Sequence, residues 1–311
     1  MGEMKGIICS GAVIHDTLVR AVEDPQWGTT TIVETIEPHI GGNAANTSIA
    51  LATLGVPVRV VGAVGHDEQG RFVISALRRA GVDTEALSVL QDHTAATVGL
   101  VNAAGARKFL HRPGVSAAAF SAPLEFPPEL TTGMAHFHLA SLFILPNFRP
   151  HAPASLAHAR AVGLTTSVDT NWDPRGRWMR DLAPCLPELD FLFMNEDEAR
   201  MATGSEDPAA SADAVLSLGA RAAVIKLGPR GCAIYTPDRE VLCPAFNVAV
   251  KDTTGAGDCF VAGFLAAHLR GAGLYEAGRF ANAVGAFSVQ CVGAATGVKG
   301  FEETETWMKC R

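Results

Sequence analysis

Short apolar runs rich in β-branched residues alternate along the chain with longer segments whose apolar positions recur at helical spacing. That rhythm belongs to a mostly parallel sheet flanked by helices. Ile7–Ala12 reads as the first strand, and Asn43–Leu54 as a helix that stops at Gly55 ahead of Pro57. Val58–Val61 follows as a strand and Glu68–Arg79 as a helix ended by Gly81. Further strands are predicted at Ala135–Leu139, Leu164–Asp169, Phe191–Asn195 and Ala222–Leu227, with helices at about Ala152–Ala161, Glu196–Thr203 and Ala209–Leu218. In the last third, Val248–Lys251 reads as a short strand, then Ala256–Arg270 and Leu274–Val292 as helices separated by Gly271 and Gly273.

Two regions break this rhythm, Thr17–Glu37 and Thr97–His111, both rich in β-branched residues and punctuated by turns. They predict extra strands outside the main sheet, with a turn at Asn102–Gly105 joining two of them. No linker, low-complexity tract or repeat interrupts the chain. The expectation is one α/β domain over residues 1–311 carrying a small β appendage at about 17–37 and 97–111.

Composition narrows the classes. With 48% hydrophobic and 18% charged residues in 311, the chain can bury a sizeable core, and disorder, collagen-like repeats and coiled coil do not describe it. A net charge of −7 carries no broad basic field, so nucleic acid is not an expected partner. Met1–Gly11 lacks a basic region followed by a long apolar stretch, and the most apolar run, Ala135–Pro146, is broken by His136, His138 and Ser141. Neither secretion nor a membrane span is expected. Seven cysteines without a CxxC pair suit a reducing cytosol better than a disulfide framework or zinc site.

The chemistry concentrates in Lys251–Arg270, KDTTGAGDCFVAGFLAAHLR, where a glycine-containing polar turn lies between a strand pattern and a helix. Gly255 and Gly257 allow close backbone approach and positive φ, so amides at the helix start can converge on one anion, such as a phosphoryl group in transit. Asp258 then admits two readings. A carboxylate beside an anion-binding turn repels phosphate unless it has a task such as accepting a hydroxyl proton; alternatively it is a first-turn acid favoured by the helix dipole. No Gly-Lys-Ser/Thr follows, so this is not a Walker loop. A second glycine-rich helix start, HIGGNAAN at His39–Asn46, offers Gly41 and Gly42 for close approach and the amides of Asn43 and Asn46 for a polyol, or simply Asn43 as an N-cap. Asp67, in GAVGHDEQG, reads as a helix cap.

Together, in this order and spacing, these windows resemble the ribokinase-like (PfkB) family of carbohydrate and nucleoside kinases over nearly the whole chain. GGNAAN is similar to the family's N-terminal signature and DTTGAGDCFVAGF to its C-terminal one. MNEDE (Met194–Glu198) resembles the family's Asn-x-x-Glu element, and KLGPRG (Lys226–Gly231) its nucleotide-contacting turn. The resemblance implies a three-layer α/β/α fold with a mostly parallel central sheet and a small β-sheet lid. It implies Asp258 as catalytic base, with the amides of Gly255, Ala256 and Gly257 as anion hole. Asp16, Gly41, Gly42 and Asn46 would hold the sugar, joined by Arg112 near the lid and by Asp169, which with Asn171 faces the transfer cleft. Asn195 and Glu198 would organise Mg²⁺ and its waters; Lys226, Gly228, Gly231 and Asn282 would contact ATP. Asp252 and Thr254 correspond to positions that in many members bind a monovalent cation such as K⁺. The lid often pairs two subunits, so a homodimer is expected.

The implied reaction moves the γ-phosphate of ATP to a hydroxymethyl group of a small unphosphorylated sugar or sugar acid. Ile14 and Ile144 stand where ribokinases carry polar sugar contacts, which argues against strict ribokinase activity. A phosphosugar acceptor would want additional basic residues, for which Arg107, Lys108 and Arg112 are the near candidates. Two alternatives stand: a nucleoside kinase whose base stacks on Trp27, Phe109 or Ile14, and a catalytically silent sugar- or nucleotide-binding regulator.

Overall fold

The computed structural model describes residues 4–23, 25–103 and 106–311. Thirteen strands form two sheets among these residues: β1 (Gly6–Ser10), β2 (Ile14–Arg20), β3 (Thr35–Gly41), β4 (Val58–Gly65), β5 (Leu87–Leu90), β6 (Ala96–Val101), β7 (Arg107–Arg112), β8 (Met134–Leu139), β9 (Thr165–Asp169), β10 (Phe191–Asn195), β11 (Ala223–Lys226), β12 (Cys232–Thr236) and β13 (Arg239–Cys243). The large sheet has the order β13-β12-β11-β10-β9-β8-β1-β4-β5. Its strands run parallel from β5 to β11, and only the β12–β13 hairpin at one edge is antiparallel.

Residues of one strand divide between two cores, as the period of two requires. Ile7 and Cys9 pack with Phe191, Phe193 and the helices Asn43–Thr53, Ala256–Leu269 and Leu274–Ser288. Ile8, Leu192 and Met194 pack on the other face with the helices Ala152–Ala161, Glu196–Thr203 and Pro208–Ser217. Helices on both faces of a mostly parallel sheet are the three-layer arrangement predicted. Asp67 caps the helix Glu68–Arg79, its Oδ1 accepting from the Gly70 amide at 2.8 Å. Five of the seven cysteines are buried. No helix among the described residues is long and apolar enough to cross a membrane.

The small sheet, β3-β2-β6-β7, comes from the two regions that broke the rhythm. Its strands begin and end elsewhere than expected: β2 starts at Ile14 and stops at Arg20, β3 occupies Thr35–Gly41, and the described residues between them form no strand. The turn expected at Asn102–Gly105 falls partly on Ala104 and Gly105, outside the described residues. On its flanks the Asn102 amide donates to the Ala106 carbonyl at 3.0 Å and the Asn102 side chain accepts from the Ala106 amide at 2.8 Å. Val248–Lys251 is not a strand. Its β-branched residues meet no ladder partner, and Val248 and Val250 instead line a cleft. The predicted helix Leu274–Val292 ends at Ser288, while β5, the β12–β13 hairpin and a final helix, Phe301–Lys309, escaped the pattern.

Candidate active site

The helix Ala256–Leu269 starts without a side-chain cap: its N-cap is Gly255, in the left-handed region at φ 70°. A side chain there would be strained, and its Cβ would overlap Ala294. The first amides of the helix therefore keep no partner from a capping side chain, the condition under which a helix start receives an anion. Asp258, in the first turn, is only 6% exposed. Its two oxygens are held separately, Oδ1 by the Asn43 amide and Oδ2 by the Asn46 amide, each at 2.8 Å. Burial pushes the carboxyl up to about 6, with the two amides pulling it back, Asp169 adding to the rise and Lys226 opposing it.

Asn43 and Asn46 are the first and fourth residues of their helix, so the 3.6-residue period puts both on the face toward Asp258. The N-cap of that helix is Gly42 at φ 91°, not Asn43. Gly41 is required by contact, since a Cβ there would overlap the Asp16 carboxylate. Asp16 itself is held above its ordinary value by burial, opposed by the Thr97 hydroxyl.

Asp169, Asn195 and Lys226 end the adjacent parallel strands β9, β10 and β11, at the carboxyl edge where open α/β sheets bind ligands. Lys226 Nζ lies 2.8 Å from Asp169 Oδ2. Burial alone would pull that ammonium down; Asp169 and Glu198 outweigh it and hold it up. Asn195 caps the helix Glu196–Thr203 in a capping box, its Oδ1 accepting from the Glu198 amide while Glu198 Oε2 accepts from the Asn195 amide, both at 2.8 Å. Burial raises the Glu198 carboxyl, and Asp169 adds to the rise.

Two clefts lie near Asp258, one lined by its chain neighbour Gly257 and the other by its hydrogen-bond partner Asn46. One, of about 580 Å³, is lined by Lys226, Gly228, Gly231, Val248, Gly257 and Asn282, among others. Asn282 ties its wall, donating to the Cys243 carbonyl at 2.8 Å. The smaller, of about 270 Å³, lies under the small sheet and takes in Asp16, His39, Asn46, Arg107, Asp252 and Thr254.

Arg112 is a correction. It stands one residue out of phase with the β7 residues that face the small cleft, Arg107 and Phe109, so the alternation of the strand turns it to the opposite face. There it donates to the Gln69 side chain at 2.7 Å and the Thr94 carbonyl at 3.1 Å. The residue that enters the cleft is Arg107, whose guanidinium lies 2.7 Å from Asp252 Oδ1 and also donates to the Thr254 hydroxyl. Where a monovalent cation was expected, Asp252 meets that guanidinium and the amides of Thr254 and Gly293. Although burial alone would raise it, the two amides and Arg107 hold its carboxyl below the usual range. The cleft residues Arg20, His39 and Lys251 were missed. For Arg20 the only available signal was its even phase with Asp16 along one strand.

A family description of pfkB carbohydrate kinases matches residues 4–299. An ATP-dependent ribose-1-phosphate kinase from Halopiger xanaduensis is 31% identical over 293 residues, covering 94% of each chain. A nucleoside kinase from Methanothermobacter thermautotrophicus is 27% identical, covering 96% of this chain and 94% of its own. Among solved structures, Arabidopsis thaliana ribokinase complexed with ribose and ATP superposes with a TM-score of 0.87 at 24% identity, covering 99% of both chains.

Proposed function

This chain belongs to the pfkB family of carbohydrate kinases, and from that premise we propose that it transfers the γ-phosphate of ATP to a hydroxymethyl group of a small sugar or sugar acid, with Asp258 as the base. The observation that carries this reading is one buried carboxylate, oriented by two amides, beside the uncapped helix start at Gly255, with its neighbour Gly257 lining the larger cleft and its partner Asn46 the smaller.

The larger cleft takes ATP, with Gly228 and Gly231 passing close to it and Lys226 at its phosphate end. The smaller takes the sugar, whose hydroxyls meet Asp16 and Asn46. Asn46 Oδ1 is buried without a hydrogen-bond partner and is suited to a sugar hydroxyl. Asp258 orients the attacking hydroxyl and takes its proton as the O–P bond forms. The amides of Gly255, Ala256 and Gly257 receive the charge of the transferring group. Lys226, kept cationic by Asp169, neutralises phosphate charge. The small sheet closes over the sugar as a lid and keeps water from the phosphate.

Mg²⁺ fits the residues present. Asp169 acts electrostatically on both Glu198 and Asp258, and all three act on Lys226; Asn171 Oδ1 is buried without a partner, and these oxygens suit a hard cation. Among the described residues no three His, Cys, Asp or Glu side chains gather closely enough to hold a metal by themselves, so Glu198, fixed in place by its capping box with Asn195, acts through water. When bound, the cation neutralises phosphate charge.

The outer face of the lid bears exposed Ile36 and Leu110, and we assign it to a symmetric homodimer, which sedimentation as a concentration-independent monomer would overturn. A cytosolic location is part of the same reading, supported by the seven cysteines being free. The deciding experiment measures ADP production over a panel of sugars, sugar acids and nucleosides, with and without K⁺. Turnover of a sugar hydroxyl supports the reading; turnover of nucleosides alone selects the nucleoside kinase. ATP binding without turnover of any compound selects the regulator.

A further inference from the structure

The pairings of the small sheet arrange its cleft face in rows. Asp16 stands opposite His39 and Thr97, Leu18 opposite Glu37 and Gly99, and Arg20 opposite Thr35 and Val101. On the far strand His111, Phe109 and Arg107 complete the same rows. Moving outward from Asp16 along β2, β6 and β7, the face is polar, then apolar, then basic, while on β3 Glu37 flanks the apolar row and lies 3.7 Å from His39; the basic end lies four residues from Asp16 along β2, about 13 Å at strand rise.

Arg20, Arg107, Lys251 and His39 all line the small cleft, against the carboxylates of Asp16 and Asp252. Asp252 is already engaged by Arg107 at 2.7 Å. Among the described residues, no carboxylate lies within ion-pair distance of Arg20 or Lys251. A neutral sugar asks for donors and acceptors in balance, whereas an unpaired guanidinium at the edge of a small polar pocket suits a planar or tetrahedral oxyanion, which it can grip with two parallel N–H groups.

We propose that the acceptor is an anionic sugar, with its hydroxymethyl end at Asp16 and Asp258 and a phosphate or carboxylate at the opposite end, gripped by Arg20 with Lys251 alongside. Arg107, pinned to Asp252, forms the wall between that anion and the amides at Gly255. Resting on the kinase reading above, this narrows its substrate class: sugar phosphates and sugar acids are accepted in preference to neutral sugars. Arg20 is then a specificity residue rather than a catalytic one.

The test compares initial rates on ribose, ribose 1-phosphate and 2-keto-3-deoxygluconate in the wild type, Arg20→Ala and Arg20→Lys, with the thermal shift on adding ATP as the check that each variant is folded. The wild type should show kcat/KM at least about tenfold higher for one of the two anionic acceptors than for ribose, and the better one identifies the anion as phosphate or carboxylate. Arg20→Ala should raise KM for that acceptor about tenfold or more with kcat changed by less than about threefold, and Arg20→Lys should recover part of the loss. Added salt should erode the preference. A wild type that favours ribose, or an Arg20→Ala variant that loses as much on ribose as on the anionic acceptor, overturns this inference and leaves the kinase reading standing. Turnover of none of the three nor of any other sugar would overturn both.

Discussion

Two helix starts flank Lys226 and are built in opposite ways. At Asn195 the cap is complete: side chain and backbone of Asn195 and Glu198 satisfy each other reciprocally. At Gly255 no side chain caps the helix, and the nearest acid, Asp258, is turned away to Asn43 and Asn46. A closed terminus contributes rigidity and a buried carboxylate; an open one leaves its amides to a ligand. On the proposed reading, the difference separates the group that holds charge during transfer from the group that fixes the strand ends beneath it. Both termini carry acids in the first turn, so acidity alone does not tell them apart. The residue at the cap does.

The largest effect that sharpens this contrast is expected at Asp258. Asp258→Asn keeps the size and the first-turn position but removes the proton acceptor, so kcat should fall by a factor on the order of 10² or more. Nucleotide affinity, measured by calorimetry, should stay within a few-fold. Near-normal turnover would return Asp258 to the role of a dipole-favoured acid. Next comes Gly255→Val, which places a β-branched residue in the left-handed region and drives its Cβ into Ala294. That strain costs roughly 1–3 kcal/mol and tilts the amides, so a lower melting temperature should accompany a rate loss of about tenfold or more. A variant that melts earlier yet turns over normally would show that these amides do not receive the phosphoryl group.

Third is the pH profile. Because burial pushes the Asp258 carboxyl up to about 6, and only the ionised form accepts a proton, kcat/KM should be flat above that value. Below it the value should fall about tenfold per pH unit. Removing a donor by Asn46→Ala takes away a hydrogen bond that favours the ionised form, so the acid limb should move to higher pH. An acid limb that stays near the ordinary aspartate range in both proteins would place the essential base elsewhere.

The open terminus was legible in the sequence because its signal is local: glycines, a following acid and helical spacing all fall within one short segment. The mostly parallel character of the sheet was legible for the same reason, strand by strand. What the pattern could not supply was pairing. Arg107 and Arg112 lie on one strand, and which of them enters the cleft depends on a parity set by β2, β6 and β7 together. Arg20, Lys251 and His39 reach one pocket from distant segments with no common motif. Val248–Lys251 has strand-like residues but lies beside no free ladder, so propensity without a partner yielded no strand. Gly42, rather than Asn43, caps the first helix: the Asn43 side chain is turned across the domain, its Nδ2 donating to Asp258 and its Oδ1 accepting from the Ser141 hydroxyl at 3.4 Å.

The smallest effect is expected at the closed terminus. Asn195→Ala removes the side-chain half of the capping box, a loss of about 1 kcal/mol, which lowers the melting temperature by only a few degrees in a chain of this size. The Asn195 backbone amide still donates to Glu198, and so does the Thr170 hydroxyl at 3.1 Å. The buried carboxylate therefore keeps its place beside Lys226, and kcat should fall by no more than about fivefold. A Mg²⁺ titration of the rate separates the two ways in which Asn195 can matter. If it acts by closing the helix, the Mg²⁺ dependence of the variant should shift little while the melt moves. A large rise in the Mg²⁺ requirement at an unchanged melting temperature would mean that the side chain works at the phosphates, and the two helix starts would then share one task instead of dividing it.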